Sequence, residues 1–76
     1  MTNMTLGEIL RDLREGSGLT QTELAIKIGI SQRKVSHLER GDIEPNMEDL
    51  RRFCAFFRVS ADYLLGLPDD LSYPRR

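Results

Sequence analysis

Apolar residues along this chain recur at helical spacing rather than alternating. Leu6, Ile9, Leu10 and Leu13 stand at i, i+3, i+4 and i+7, one face of a predicted helix closed by Gly16 and Gly18. Leu24, Ala25 and Ile28 line a second, shorter helix that stops at Gly29, and Val35 and Leu38 are the inward residues of a third that ends at Gly41. Leu50, Phe53, Cys54 and Phe57 line a fourth, and Leu64 and Leu65 belong to a fifth that ends at Gly66. No internal repeat or strand-like alternation interrupts the series. The pattern predicts an all-α fold of five short helices within residues 1–66, followed by a tail or linker stub over 67–76.

The polar residues between these stripes mark where each helix starts. A Ser, Thr or Asn caps free backbone N–H groups, and a Glu three residues later caps in return. Thr5-Leu6-Gly7-Glu8 and Thr20-Gln21-Thr22-Glu23 have that form. Each is flanked by an apolar pair across the cap, Met4 with Ile9 and Leu19 with Leu24. Ser31, between Ile30 and Val35, and Ser60, between Val59 and Leu64, repeat the pairing; Asn46 caps the fourth helix, with Asp49 in the reciprocal position.

Composition narrows the function classes. At 76 residues and 39% hydrophobic the chain suits one domain with one modest core. No apolar run approaches ~18 residues and no charged-then-apolar leader opens the chain, so neither a membrane span nor a secretory leader is expected. One cysteine, Cys54, cannot close an internal disulfide, which fits a reducing cytoplasm. One histidine and one cysteine do not make a structural zinc site, and no cofactor motif is present. Catalysis is not expected either. No phosphate-cradling glycine loop exists, His37 has no acid partner suggested by the sequence, and Cys54 falls within an apolar stripe.

Only Gly29, Ile30 and Ser31 separate the second and third helices, so the chain turns sharply there. Two short helices joined by a three-residue turn with glycine form the helix-turn-helix unit, here at about residues 20–40. In its DNA-binding form the second helix of the unit enters the major groove. With Val35 and Leu38 inward, the outward positions of that helix are Gln32, Arg33, Ser36, His37 and Arg40, with Lys34 on the flank. All can form hydrogen bonds and none is acidic. Gln matches the adenine edge and Arg the guanine edge in bidentate fashion. A solvated outer helix face would look much the same, and this pattern alone leaves both readings open.

Charge bears on the choice only through its distribution. The net charge is −1, far from the positive excess of indiscriminate nucleic-acid binders. Yet Lys27, Arg33, Lys34 and Arg40 against Glu39 give a local +3, while Asp42, Glu44, Glu48 and Asp49 give −4. The acidic run is therefore expected to lie off any DNA-facing surface.

The runs Leu19-Thr20-Gln21-Thr22-Glu23-Leu24-Ala25, Ile28-Gly29-Ile30-Ser31 and Val35-Ser36-His37-Leu38-Glu39-Arg40-Gly41 resemble the Xre/Cro-type helix-turn-helix family, which includes phage lambda-repressor-like regulators. Pro45 and Val59-Ser60-Ala61-Asp62-Tyr63-Leu64-Leu65-Gly66 continue the match to about residue 66. The resemblance implies a compact five-helix DNA-binding domain and a cytoplasmic transcriptional regulator, a repressor rather than an activator. Its partner would be double-stranded DNA with a near-palindromic operator. It implies phosphate contact for Gln21, base reading for Gln32, Arg33 and His37, and backbone or supporting contacts for Lys34, Ser36 and Arg40. It also implies a structural ion pair between Arg14 and Glu39. Two departures stand out: Arg58 where relatives often carry Gly, which would be mildly strained if left-handed, and Ile26 at a commonly polar position. Phe56, Tyr63, Leu67, Leu71 and Tyr73 are the apolar residues least used by the core stripes. They would either form a homodimer surface, one that closes mainly on DNA if its contacts are weak, or, for Phe56 and Tyr63, complete the core. A protein-interaction module on the same scaffold, such as an antitoxin-like partner, is the competing function.

Overall fold

The computed structural model describes residues 4–68, 70 and 71. Five helices follow in order: α1 (Leu6–Gly16), α2 (Gln21–Ile28), α3 (Gln32–Arg40), α4 (Met47–Phe57) and α5 (Ala61–Leu65), with no strand among the described residues.

Every helix begins at the residue whose side chain caps it: Thr5, Thr20, Ser31, Asn46 and Ser60 each accept a hydrogen bond from the backbone N–H three residues on. In α1 and α2 the bond is returned, Glu8 accepting from the Thr5 N–H and Glu23 from the Thr20 N–H, each at 2.8 Å. At α4 the expected reciprocity of Asp49 does not form. Its N–H donates to Asn46 Oδ1 at 2.8 Å, but its carboxylate turns inward to Lys34. Aspartate is one methylene shorter than the glutamates that reach back in α1 and α2, and a cation on α3 lies within its reach.

Helix ends are set as locally as the starts. Gly29, Gly41, Arg58 and Gly66 occupy the left-handed conformation at the C-caps of α2 to α5. At Gly29 this reversal brings α3 back across α2 within three residues, a turn that a Cβ would strain. Arg58 carries that strain, at φ 58 and ψ 46.

The core is the sum of the apolar stripes. Ile9, Leu10, Leu24, Ala25, Ile28, Val35, Leu38, Leu50, Phe53 and Leu64 are buried, with Leu6, Leu13, Cys54 and Phe57 packed around them. Each large side chain removed from water there contributes about 1.5–3 kcal/mol against the entropy of ordering the chain. Burial raises the pKa of the Cys54 thiol, consistent with a packing role. Leu65, Phe56, Tyr63, Leu67 and Leu71 are exposed, so Phe56 and Tyr63 do not complete the core. Tyr73 lies outside the described residues.

Helix α3 is held from both sides, by α1 and by α2. The approach of α1 depends on Gly7, where a Cβ would sit 2.4 Å from the Glu39 carbonyl oxygen and 2.6 Å from that of Leu38. The last turn of α3 thus rests directly on the backbone of α1.

Candidate nucleic-acid interface

Burying Val35 and Leu38 leaves one side of α3 facing out, because those two positions are three residues apart on one helical face. Gln32 and Arg33 are exposed in its first turn, just beyond the Ser31 cap, where four backbone N–H groups at a helix start favour an anion. Ser36 and His37 are partly buried one turn on, and Arg40 is exposed in the last. These five residues share one face, as their spacing predicts.

Behind that face runs a hydrogen-bonded chain that ties it to α1. Gln32 Nε2 donates to Gln21 Oε1 at 2.7 Å, and Gln21 Nε2 donates to Glu39 Oε1 at 3.1 Å. Glu39 also takes a forked pair from Arg14, Nε at 2.7 Å and Nη2 at 3.1 Å, while Arg14 Nη1 donates to the Leu19 carbonyl at 2.8 Å. The Arg14 and Glu39 side chains are only 12% and 4% exposed, so this charge pair is nearly dry. The Glu39 hydrogen bond leads the effects that raise the Arg14 pKa, and burial opposes it. Gln21 therefore meets Gln32 and Glu39 at once, and its free orientation is small.

The acidic run does not stay clear of α3, contrary to expectation. Gly41 turns the chain so that the Asp42 N–H donates to the His37 carbonyl at 3.0 Å, which folds the Asp42 side chain back over the last turn. Asp42 Oδ2 then lies 3.1 Å from His37 Nδ1 and accepts from Arg40 Nε at 3.0 Å. Asp49, 6% exposed at its side chain, pairs with Lys34, which draws that cation toward α4. No other partner satisfies the buried Asp49 Oδ2 among the described residues. Arg33 has no ionic partner among the described residues.

Two contributors escaped the sequence. Arg52 Nη1 donates to the carbonyls of Ile28 and Gly29 at 3.3 and 3.1 Å, so α4 braces the turn between α2 and α3. Its Nη2 pairs with Glu48 at 2.7 Å. Gly7 is the second, through its contact with the end of α3. Neither carries a local signal, since Arg52 reads as an ordinary surface charge and Gly7 as filler inside a capping box. Ile26 is 76% exposed on α2. No helix among the described residues is long and apolar enough to cross a membrane.

A family model described as a helix-turn-helix domain matches residues 5–70. The chain is 38% identical over 63 residues to the HTH-type transcriptional regulator ImmR of Bacillus subtilis (strain 168), covering 83% of this chain and 50% of that protein. It is 34% identical over 65 residues to repressor protein C2 of Salmonella phage P22, covering 86% of this chain and 30% of that one. The chain therefore spans half or less of the length of these relatives. The P22 c2 repressor solved in complex with a synthetic operator superposes with a TM-score of 0.79 at 33% identity, covering 83% of this chain and 96% of that one. The DNA-binding domain of the same repressor in solution gives 0.75 at 33% identity, over 84% of each chain. On this match, and on a helix-turn-helix whose second helix turns its polar face outward, the chain belongs to the Xre/Cro-type helix-turn-helix family.

Proposed function

We propose that this chain is a sequence-specific binder of double-stranded DNA that regulates transcription, acting as a repressor in the cytoplasm. The observation that carries the reading is the outward face of α3, whose exposed Gln32 and Arg33 stand at its N-terminal turn while Gln21, Glu39 and Arg14 brace it from behind. A forked amide and a forked guanidinium at the groove-entering end of a helix are the groups that read adenine and guanine edges. Membership of the family and the likeness to a repressor solved on its operator support the same reading.

In this proposal Gln32, Arg33 and His37 read bases, and Gln21 contacts phosphate while bracing Gln32. Ser36 and Arg40 make backbone contacts, and Lys34 supports α3 through Asp49. Arg14 and Glu39 hold the orientation of α3 and touch no DNA. A homodimer would use the exposed apolar side chains Phe56, Tyr63, Leu67 and Leu71 and set two α3 helices about one DNA turn, ~34 Å, apart on a near-palindromic site. Repression would follow from occlusion of a promoter.

Selection from random duplex DNA tests this directly. An enriched inverted repeat bound by two chains is expected, with Arg33→Ala costing about 1–3 kcal/mol and relaxing preference at one base position. Absence of enrichment at low salt from folded protein would refute the DNA-binding reading.

A further inference from the structure

The proposed DNA-facing surface carries its own anion. Asp42 is the first residue past the left-handed Gly41, and its carboxylate is folded onto the last turn of α3 rather than into solvent. A single oxygen, Oδ2, lies 3.0 Å from Arg40 Nε and 3.1 Å from His37 Nδ1, and Arg40 Nη2 lies 3.1 Å from the same imidazole nitrogen. An oxyanion held on the edge of a guanidinium is the arrangement a DNA phosphate oxygen would adopt on Arg40. Resting on the DNA-binding function above, we propose that Asp42 is an internal phosphate mimic that occupies Arg40, with His37 beside it, and lowers the affinity of α3 for the DNA backbone.

The two acidic contacts on α3 separate by burial. Asp49 is 6% exposed at its side chain and fixes Lys34 within the fold. Asp42 and Arg40 are 49% and 58% exposed, so their pair adds little to stability and opens at low cost. A phosphate arriving at this end of α3 exchanges one anion for another on Arg40. The displaced carboxylate stays within a Debye length, about 8–10 Å, of the backbone it was displaced by. The hydrogen bonds from His37 and Arg40 also hold the Asp42 carboxyl below its ordinary pKa, which is the direction expected of a carboxylate seated on a cation. Random duplex is bound almost wholly through phosphate contacts, so it bears this loss in full. A selected duplex is held in addition by the base contacts of Gln32 and Arg33.

The test compares the wild-type chain with Asp42→Asn on a random duplex and on a selected one, across a salt series. Asp42→Asn is expected to unfold at the wild-type temperature and to bind random duplex roughly three- to tenfold more tightly at about 50 mM salt. The slope of log affinity against log salt should steepen by about one, because one further cation meets phosphate. In an Arg40→Gln background, Asp42→Asn should no longer steepen the slope. Unchanged affinity and slope in Asp42→Asn, with the wild-type chain binding DNA, overturn the mimic alone. Failure of the folded wild-type chain to bind either duplex overturns the DNA-binding function, and the mimic with it.

Discussion

Replacing Gly7 by alanine places a methyl carbon 2.4 Å from the Glu39 carbonyl oxygen, 2.6 Å from that of Leu38 and 2.8 Å from the Glu39 carbonyl carbon. Carbon–oxygen contacts normally close to about 3.3 Å, so α1 and α3 must part by roughly 1 Å. Nothing can rotate aside, because all three atoms are backbone. Parting the helices loosens Ile9 and Leu10 against Val35 and Leu38, and a gap of that size forfeits a quarter to a half of each dispersion contact across it. Overpacking of this kind costs about 1–3 kcal/mol, here toward the upper part of that range, and the better helix propensity of alanine returns at most ~1 kcal/mol. A net loss of about 1–2 kcal/mol should lower Tm by roughly 5–15 °C in a domain of this size. Gly16→Ala is the control, since a Cβ there meets nothing within 4 Å and φ is not left-handed. It should hold or raise Tm in the same thermal scan followed by circular dichroism. A Gly7→Ala protein as stable as the wild type would show that α1 does not need this close approach.

Three further outcomes follow from contacts already described. Arg14→Met or Glu39→Gln alone should cost about 3–5 kcal/mol in urea unfolding, because the remaining charge is left buried, and a loss below 1 kcal/mol would contradict the pair's role. Arg58→Gly should stabilise by about 1 kcal/mol by relieving a left-handed side chain, and a lower urea midpoint would show that Arg58 makes an offsetting contact. The Thr20 N–H, and then its hydroxyl, hold the Glu23 carboxylate below its ordinary pKa. Its contribution is therefore complete above that value and lost as pH falls through the lowered one. The stability difference between wild type and Glu23→Gln should be present at pH 7 and shrink below about pH 4. A difference that does not change with pH would exclude the carboxylate as its source.

The parts of the fold legible in the sequence are those decided within a few residues. Thr5, Thr20, Ser31, Asn46 and Ser60 announce helix starts because a cap acts on an N–H three positions away. The apolar stripes name the core because helical period alone decides which side chains share a face. Asp49 departs from its expected cap because local and tertiary options compete there, and its carboxylate goes to Lys34. Gly7, Arg52 and the fold-back of Asp42 were not readable, because each depends on which backbone atoms another element brings near. Resemblance, rather than pattern, named the Arg14 and Glu39 partners, which lie twenty-five residues apart and carry no periodic signal.

The left-handed residues that close α2 to α5, together with the five side-chain caps, also bear on how fast this surface comes into being. These start and stop signals need no distant partner, so helix boundaries are favoured in the unfolded chain before any docking. Mostly local helical domains fold in microseconds to milliseconds, with the search for distant contacts as the slow part. Here that search is for α1 on α3, through the bare backbone at Gly7 and the fork of Arg14 on Glu39. The bonds of Gln32 to Gln21 and of Gln21 to Glu39 join α2 and α3 alone, whereas the fork that fixes Glu39 needs Arg14 from α1. A truncation that removed α1 would leave the Ser31 cap at the start of α3 in place but take away the support for its last turn.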